Sequence, residues 1–223
     1  MKQLLTLRRD RPRAGEGTNA LIYRVAAFLL EYPDANLTDR LPALAAAVAT
    51  LPEPARSDLG GLVDHLSQAP GGDEQAIGAE YVRTFDLDRR RALYLTYYAF
   101  GDTRKRGMAM LDFKSAYRQS GLELSDDELP DHLCVVLEFA ATTDLAWGRE
   151  LLLKHRAGLE VLRVALRDAG SPYAGALTAV CGTLPPLAGE EEKAIATLIA
   201  AGPPEEEVGL EPFAPPSYMG ESR

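Results

Sequence analysis

Few side chains in this chain are of the types that bind metals or attack substrates. They are His65, His132, His155, Cys134 and Cys181. A structural zinc site needs ligand pairs such as C-x-x-C, and a zinc hydrolase needs H-E-x-x-H; neither spacing is present. His132 and Cys134 lie two apart and face different sides of a helix, while His155 falls on a leucine stripe, the usual place for a core histidine. Asp131-His132 has the residue types of a base and its orienting carboxylate, but neighbouring helical residues point about 100° apart and make no dyad. Asp131 beside a helix start complements the helix dipole. Glu138 follows two turns later, so the two acids can share a face. Gly15-Glu-Gly17-Thr-Asn-Ala20 matches a dinucleotide-loop pattern, but such a loop must follow a strand, and here Arg8–Arg13 precedes it. No phosphate-binding loop or nucleophile elbow occurs. The expectation is a protein that is not an enzyme, with no resident metal and no cofactor.

Binding is better supported. Arg83–Arg118 is rich in arginine and lysine, whereas Gly121–Trp147 carries Glu123, Asp126, Asp127, Glu128, Asp131, Glu138 and Asp144 with no lysine or arginine. The acidic block is either a solvated face or one wall of a groove for a basic amphipathic helix. Tyr94, Tyr97 and Tyr98, with Tyr81 and Phe85 nearby, form the densest aromatic cluster. Tyrosines of this kind serve a partner surface or a core with hydroxyls at its rim.

The elements that must position these residues read as helices. Thr18 or Asn19 caps a first helix, which Tyr32-Pro33 stops. Asn36 or Thr38 opens a second, and Pro52 and Pro54 precede a third that ends at Ala69-Pro70-Gly71-Gly72. Asp73 begins a fourth and Asp88–Phe100 a fifth. Asp102 caps a longer helix that Gly121 ends. Ser125-Asp-Asp-Glu128 is a capping box, with Pro130 near the first turn of the next helix. Leu133, Val136, Leu137, Ala140 and Ala141 then make a clean apolar stripe, and Leu152, His155, Leu159, Leu162 and Leu166 a second one. Shorter helices follow near Tyr173–Cys181 and Glu190–Ala201. No strand pattern, hairpin turn or repeat appears. The predicted fold is all-α, one domain of roughly nine helices and no sheet. It divides into a basic flexible start at 1–17, a helical domain at 18–201 and an acidic, proline-rich mobile tail at 202–223.

With 223 residues, the chain is long enough to bury a full core. Lys+Arg of 24 against Asp+Glu of 33 gives a net charge of -9 and disfavours nucleic acid as partner. No run is suited to membrane insertion. Two cysteines make no disulfide scaffold, and without an export signal they read as reduced thiols of a cytoplasmic protein.

The segment Tyr81-Val-Arg-Thr-Phe-Asp86, then Arg89-Arg-Arg-Ala-Leu-Tyr-Leu-Thr-Tyr-Tyr98, then Gly101-Asp-Thr-Arg-Lys-Arg-Gly107 closely resembles the nitrate reductase assembly chaperones. These are the NarJ-type, or nitrate reductase delta subunit, proteins within the redox-enzyme maturation chaperones. Glu128-Leu-Pro-Asp-His132 with Leu137-Glu-Phe139 resembles the signature of the wider class. Phe28-Leu-Leu-Glu-Tyr-Pro33 and Gly209-Leu-Glu-Pro-Phe213 fit as well, so the likeness covers roughly residues 20–215.

The resemblance implies an all-helical cytoplasmic protein without turnover chemistry. It implies binding to the N-terminal segment of the apo catalytic (alpha) subunit of respiratory nitrate reductase, in support of molybdenum cofactor insertion before membrane docking. In related chaperones an aspartate-histidine pair belongs to the peptide groove, which carries over to Asp131 and His132. Tyr94, Tyr97, Tyr98, Gly101, Asp102, Arg104 and Gly107 carry over as family-patterned positions, and Glu138 joins them from its place on the acidic, striped helix. Asp131 and His132 are expected at the surface, so removing both should leave the thermal midpoint within a few degrees. A general helical adaptor without a dedicated client is the alternative.

Overall fold

A computed structural model describes residues 15–34, 36–68, 74–125 and 128–201. Ile22, Tyr23, Val25, Ala26, Leu29 and Leu30 recur at helical spacing, and all are buried on α1 (Glu16–Leu30). That stripe packs against α7 (Leu133–Thr142), α10 (Ala174–Gly182), α2 (Leu37–Ala49) and α3 (Ala55–Ser67), which together enclose one hydrophobic core. The remaining helices are α4 (Glu74–Tyr81), the single turn α5 (Tyr97–Phe100), α6 (Arg104–Gln119), α8 (Leu145–Lys154), α9 (Arg156–Asp168) and α11 (Gly189–Ala201). The all-α expectation holds: the described residues contain no strand, only an isolated bridge between Tyr94 and His132. None of the described helices is long and apolar enough to cross a membrane.

Most predicted boundaries agree with the structure, and several differ. α1 starts at Gly15, with φ of 94°, ahead of the expected caps at Thr18 or Asn19. The leucine stripe of 152–166 breaks at His155, which ends α8 and begins α9. Asp88–Phe100 is not a continuous helix. A π-helical turn (Val82–Asp86) and a 3-10 turn (Arg89–Arg91) lead into extended backbone, and only Tyr97–Phe100 closes a helical turn. Finally, 122–125 and 128–132 are non-helical, and α7 begins only after His132, so the capping box and a start near Pro130 do not hold. Asp126 and Asp127 lie outside the described residues, as do the Ala69–Gly72 stop, Asp73 and the tail at 202–223. Of the expected loose start, only 15–17 is described, and Glu16 and Gly17 are helical.

α8 folds back tightly on α7. A Cβ at Gly148 would meet the Ala140 Cβ at 2.3 Å, so the two helix backbones touch where only glycine fits. This contact fixes α7, the helix that carries Cys134, Val135, Glu138 and Phe139.

Candidate functional site

Two remote segments meet where the helices give way. The Leu95 N–H donates to the Asp131 carbonyl (3.0 Å) and the Leu133 N–H to the Leu93 carbonyl (2.7 Å). These bonds clamp residues 93–95 against the entry to α7 and form the Tyr94–His132 bridge. Asp131 is wholly buried beneath this seam. Its Oδ2 accepts from the Thr96 Oγ1 (2.5 Å) and, at 3.3 Å, from the Thr96 N–H. Arg106 Nη2 sits 3.5 Å from the same oxygen, and Arg106 Nε donates to Thr96 Oγ1 (3.3 Å). The Arg106 guanidinium also lies 5.0 Å from the Tyr94 ring centroid and 5.9 Å from that of Tyr97, within cation–π range. The Tyr117 hydroxyl donates to the Pro130 carbonyl and holds the approach to the seam.

Above the seam lies a cavity of about 640 Å³. Its apolar wall comes from Leu122, Leu124, Leu129, Val135 and Phe139, and its acids are Glu31, Glu128 and Glu138. Among the described residues, no lysine or arginine lines it. Glu138 is ion-paired with Arg24 of α1, whose guanidinium lies over the Phe28 ring. Tyr94 and His132, stacked edge-on at 5.2 Å, divide this cavity from a second one of about 290 Å³ that contains Arg89, Tyr97, Asp102 and Arg106. Burial lowers the His132 pKa, against the opposing pull of Glu128 and Asp131, so the ring is neutral at pH 7.

The nitrate reductase delta subunit family matches residues 48–179. The chain belongs to that family. Among relatives, the nitrate reductase-like protein NarX of Mycobacterium tuberculosis is 40% identical over 78% of the chain, which spans only 26% of that protein's length. The nitrate reductase molybdenum cofactor assembly chaperone NarJ of Escherichia coli K12 is 33% identical over 67% of the chain and 64% of its own length. The probable NarJ of Bacillus subtilis is 29% identical over 74% of the chain and 88% of its own length. A putative redox enzyme maturation protein from Archaeoglobus fulgidus shares the fold, with a TM-score of 0.53 and 21% identity, over 80% of this chain and 98% of that one.

In this chain the ten expected positions separate. His132, Tyr94 and Glu138 face the larger cavity, and Tyr97 and Asp102 join Tyr94 and His132 in the smaller. Asp131 lies under the seam, away from both linings. It is no surface residue, so the surface premise behind the small midpoint change expected on removing Asp131 and His132 does not hold. Tyr98 belongs to the core, its hydroxyl donating to the Ala92 carbonyl (2.8 Å). Asp102 pairs with Arg106 and does not cap α6, whose N-cap is Thr103. Gly101 takes φ of 56° at the turn into α6. Arg104 and Gly107 are exposed on α6, outside both cavities. The residue the sequence reading left out is Arg106, the cation shared by Asp131, Asp102 and two tyrosine rings; its signal was the i, i+4 spacing from Asp102. Cys134 and Cys181 are free, buried thiols with pKa values raised by burial. No group of three His, Cys, Asp or Glu side chains among the described residues is placed to hold a metal.

Proposed function

We propose that this chain is a dedicated cytoplasmic maturation chaperone for respiratory nitrate reductase. It holds the N-terminal segment of the apo catalytic subunit as an amphipathic helix and supports molybdenum cofactor insertion before membrane docking. It works by binding, without turnover. The observation that carries this reading is the 640 Å³ groove, apolar in its floor and lined by three glutamates without a lysine or arginine, in a member of this family. Such a groove suits a helix whose apolar stripe seats on Leu124, Val135 and Phe139 while its basic flank meets the acids. Tyr94 and His132 form its end wall, and Asp131 and Arg106 hold that wall from below.

Titration calorimetry with the client's N-terminal peptide tests the reading. Saturable 1:1 binding of that peptide, with a scrambled peptide of equal charge at least tenfold weaker, is the expected result. Equal affinity for both peptides would make the chain a general helical adaptor.

A further inference from the structure

α6 differs in character from the rest of this acidic protein. It carries Arg104, Lys105, Arg106, Lys114 and Arg118 against the single acid Asp112, which is itself paired with Lys154. At 3.6 residues per turn Arg104, Met108, Leu111, Lys114 and Arg118 fall within one exposed face. Met108 is 68% exposed and Leu111 50%, and together they form the apolar centre of a basic stripe. Among the described residues, the side chains of Arg104, Lys105, Lys114 and Arg118 make no ion pair. None of them lines the groove, so the proposed client reading does not engage this face.

The chain itself carries the complement. Beyond Ala201 it continues through Glu205-Glu-Glu-Val-Gly-Leu-Glu-Pro-Phe213, with Arg223 as the one cation of 202–223. Four glutamates flank Val208, Leu210 and Phe213, mirroring cations that flank Met108 and Leu111. The lengths agree. Arg104 to Arg118 spans about 21 Å at 1.5 Å per helical residue, and Glu205 to Glu211 spans about 20 Å when extended. Residues 202–204 join this segment to α11, about 14 Å from Ala201 to Glu205 when extended, so docking places the end of α11 beside one end of α6. Exposed ion pairs are individually weak, so these few would hold a separate partner poorly. A tethered segment works at the high effective concentration of its own linker.

We propose that residues 205–213 dock on the exposed face of α6, with the glutamates on Arg104, Lys105, Lys114 and Arg118 and the apolar side chains over Met108 and Leu111. This gives the Gly209-Leu-Glu-Pro-Phe213 motif a partner within its own chain. It stands apart from the groove and does not depend on the client reading.

The test uses the full chain with Ala214→Cys carrying a nitroxide, read by the methyl NMR signal of Met108; Cys134 and Cys181 are buried and escape the label. More than half of the Met108 intensity should vanish until the nitroxide is reduced, and should return in 0.5 M salt. The triple variant Arg104→Glu, Lys114→Glu, Arg118→Glu, with all three changes at exposed positions, should restore the signal. Adding Glu205→Lys, Glu206→Lys and Glu207→Lys should suppress it again. A Met108 signal untouched by the nitroxide overturns the proposal, as does quenching that survives the charge reversal. Quenching seen only between molecules in a mixed sample would assign the face to a second copy and equally overturn it.

Discussion

Two buried charge clusters, one on α9 and one at the seam, solve the same problem differently. In the first, Glu160 is 3% exposed and accepts from Arg156 Nε and Nη2 (3.3 and 3.2 Å) and from Arg163 Nε (2.7 Å). Arg156 also donates through Nη1 to the Pro185 carbonyl at 2.6 Å and so ties α9 to the loop before α11. In the second, Asp131, Arg106 and His132 share the seam, yet Asp131 Oδ1, Arg106 Nη2 and His132 Nδ1 are buried without a hydrogen-bond partner among the described residues. Buried polar groups are almost always satisfied, and exceptions collect where a molecule does something besides fold. We read the satisfied Glu160 cluster as architecture and the Asp131 cluster as support for the proposed groove wall.

The largest expected effect is on the architectural side. Glu160→Ala leaves two arginines facing each other in the interior, and removing one partner of a buried pair typically costs about 3–5 kcal/mol. Urea denaturation should show a loss of that size, while peptide affinity of the folded protein stays within twofold. A loss of affinity at unchanged stability would break the comparison.

His155 belongs to neither cluster and contributes an acid-sensitive part of the stability of the fold. It is 8% exposed, its ring is 5.0 Å from that of Phe113, and burial, with Lys154 adding to it, pushes its pKa down to about 4. The folded state binds this proton more weakly than the unfolded state, whose value is about 6.5. Stability is therefore full above pH 6.5 and falls on acidification, levelling off below about pH 4 after a loss of ~3 kcal/mol. His155→Phe should flatten that slope in denaturation curves between pH 7 and 4; an unchanged slope would place the acid sensitivity elsewhere.

Next comes the seam. Asp131→Ala deprives the Thr96 N–H and hydroxyl of their acceptor and should cost about 2 kcal/mol. Unlike Glu160→Ala it should also weaken peptide binding about tenfold, because the Tyr94–His132 wall and the Arg106 guanidinium lose their shared anchor. Thermal melts and calorimetry on the same sample decide it: a stability loss with intact affinity would move this cluster to the architectural class.

These contrasts also show what a sequence can carry. α7 was readable because Leu133, Val136, Leu137 and Ala140 repeat at the helical period and all point into the core. α9 was readable for the same reason, although the break at His155 was not, since the stripe runs through it without interruption. The seam was invisible. Residues 93–96 take their conformation from bonds to Asp131 and Leu133, more than thirty residues away, and no local pattern encodes such pairing. The resemblance puts Asp131 in a peptide groove and so at the surface; its burial depends on Thr96, a remote and chemically plain residue. The tyrosine cluster offered core or surface, and the structure divides it, burying Tyr97 and Tyr98 and leaving Tyr94 half-exposed at the groove. The acidic block was legible as composition alone, and its contribution to a cavity became visible only once Glu31 from α1's end joined Glu128 and Glu138.

The smallest effects fall on the rim, where they separate acids that look alike in sequence. Glu138 is compensated by Arg24, whereas Glu128 has no ion pair among the described residues. A cationic client side chain meets the full charge of Glu128 but must displace Arg24 to reach Glu138. Exposed pairs contribute roughly 0.2–1 kcal/mol, so Glu128→Gln should weaken a basic peptide two- to fivefold and Glu138→Gln less than twofold. Arg24→Gln supplies the opposite sign: with the internal competitor gone, Glu138 is free for the client and affinity should rise about twofold, an increase that vanishes in the Arg24→Gln, Glu138→Gln double variant. All three differences should shrink together as salt screens the rim. If Arg24→Gln weakens binding instead, the arginine is a contact and not a competitor, and the groove reads charge through α1 as well as through α7.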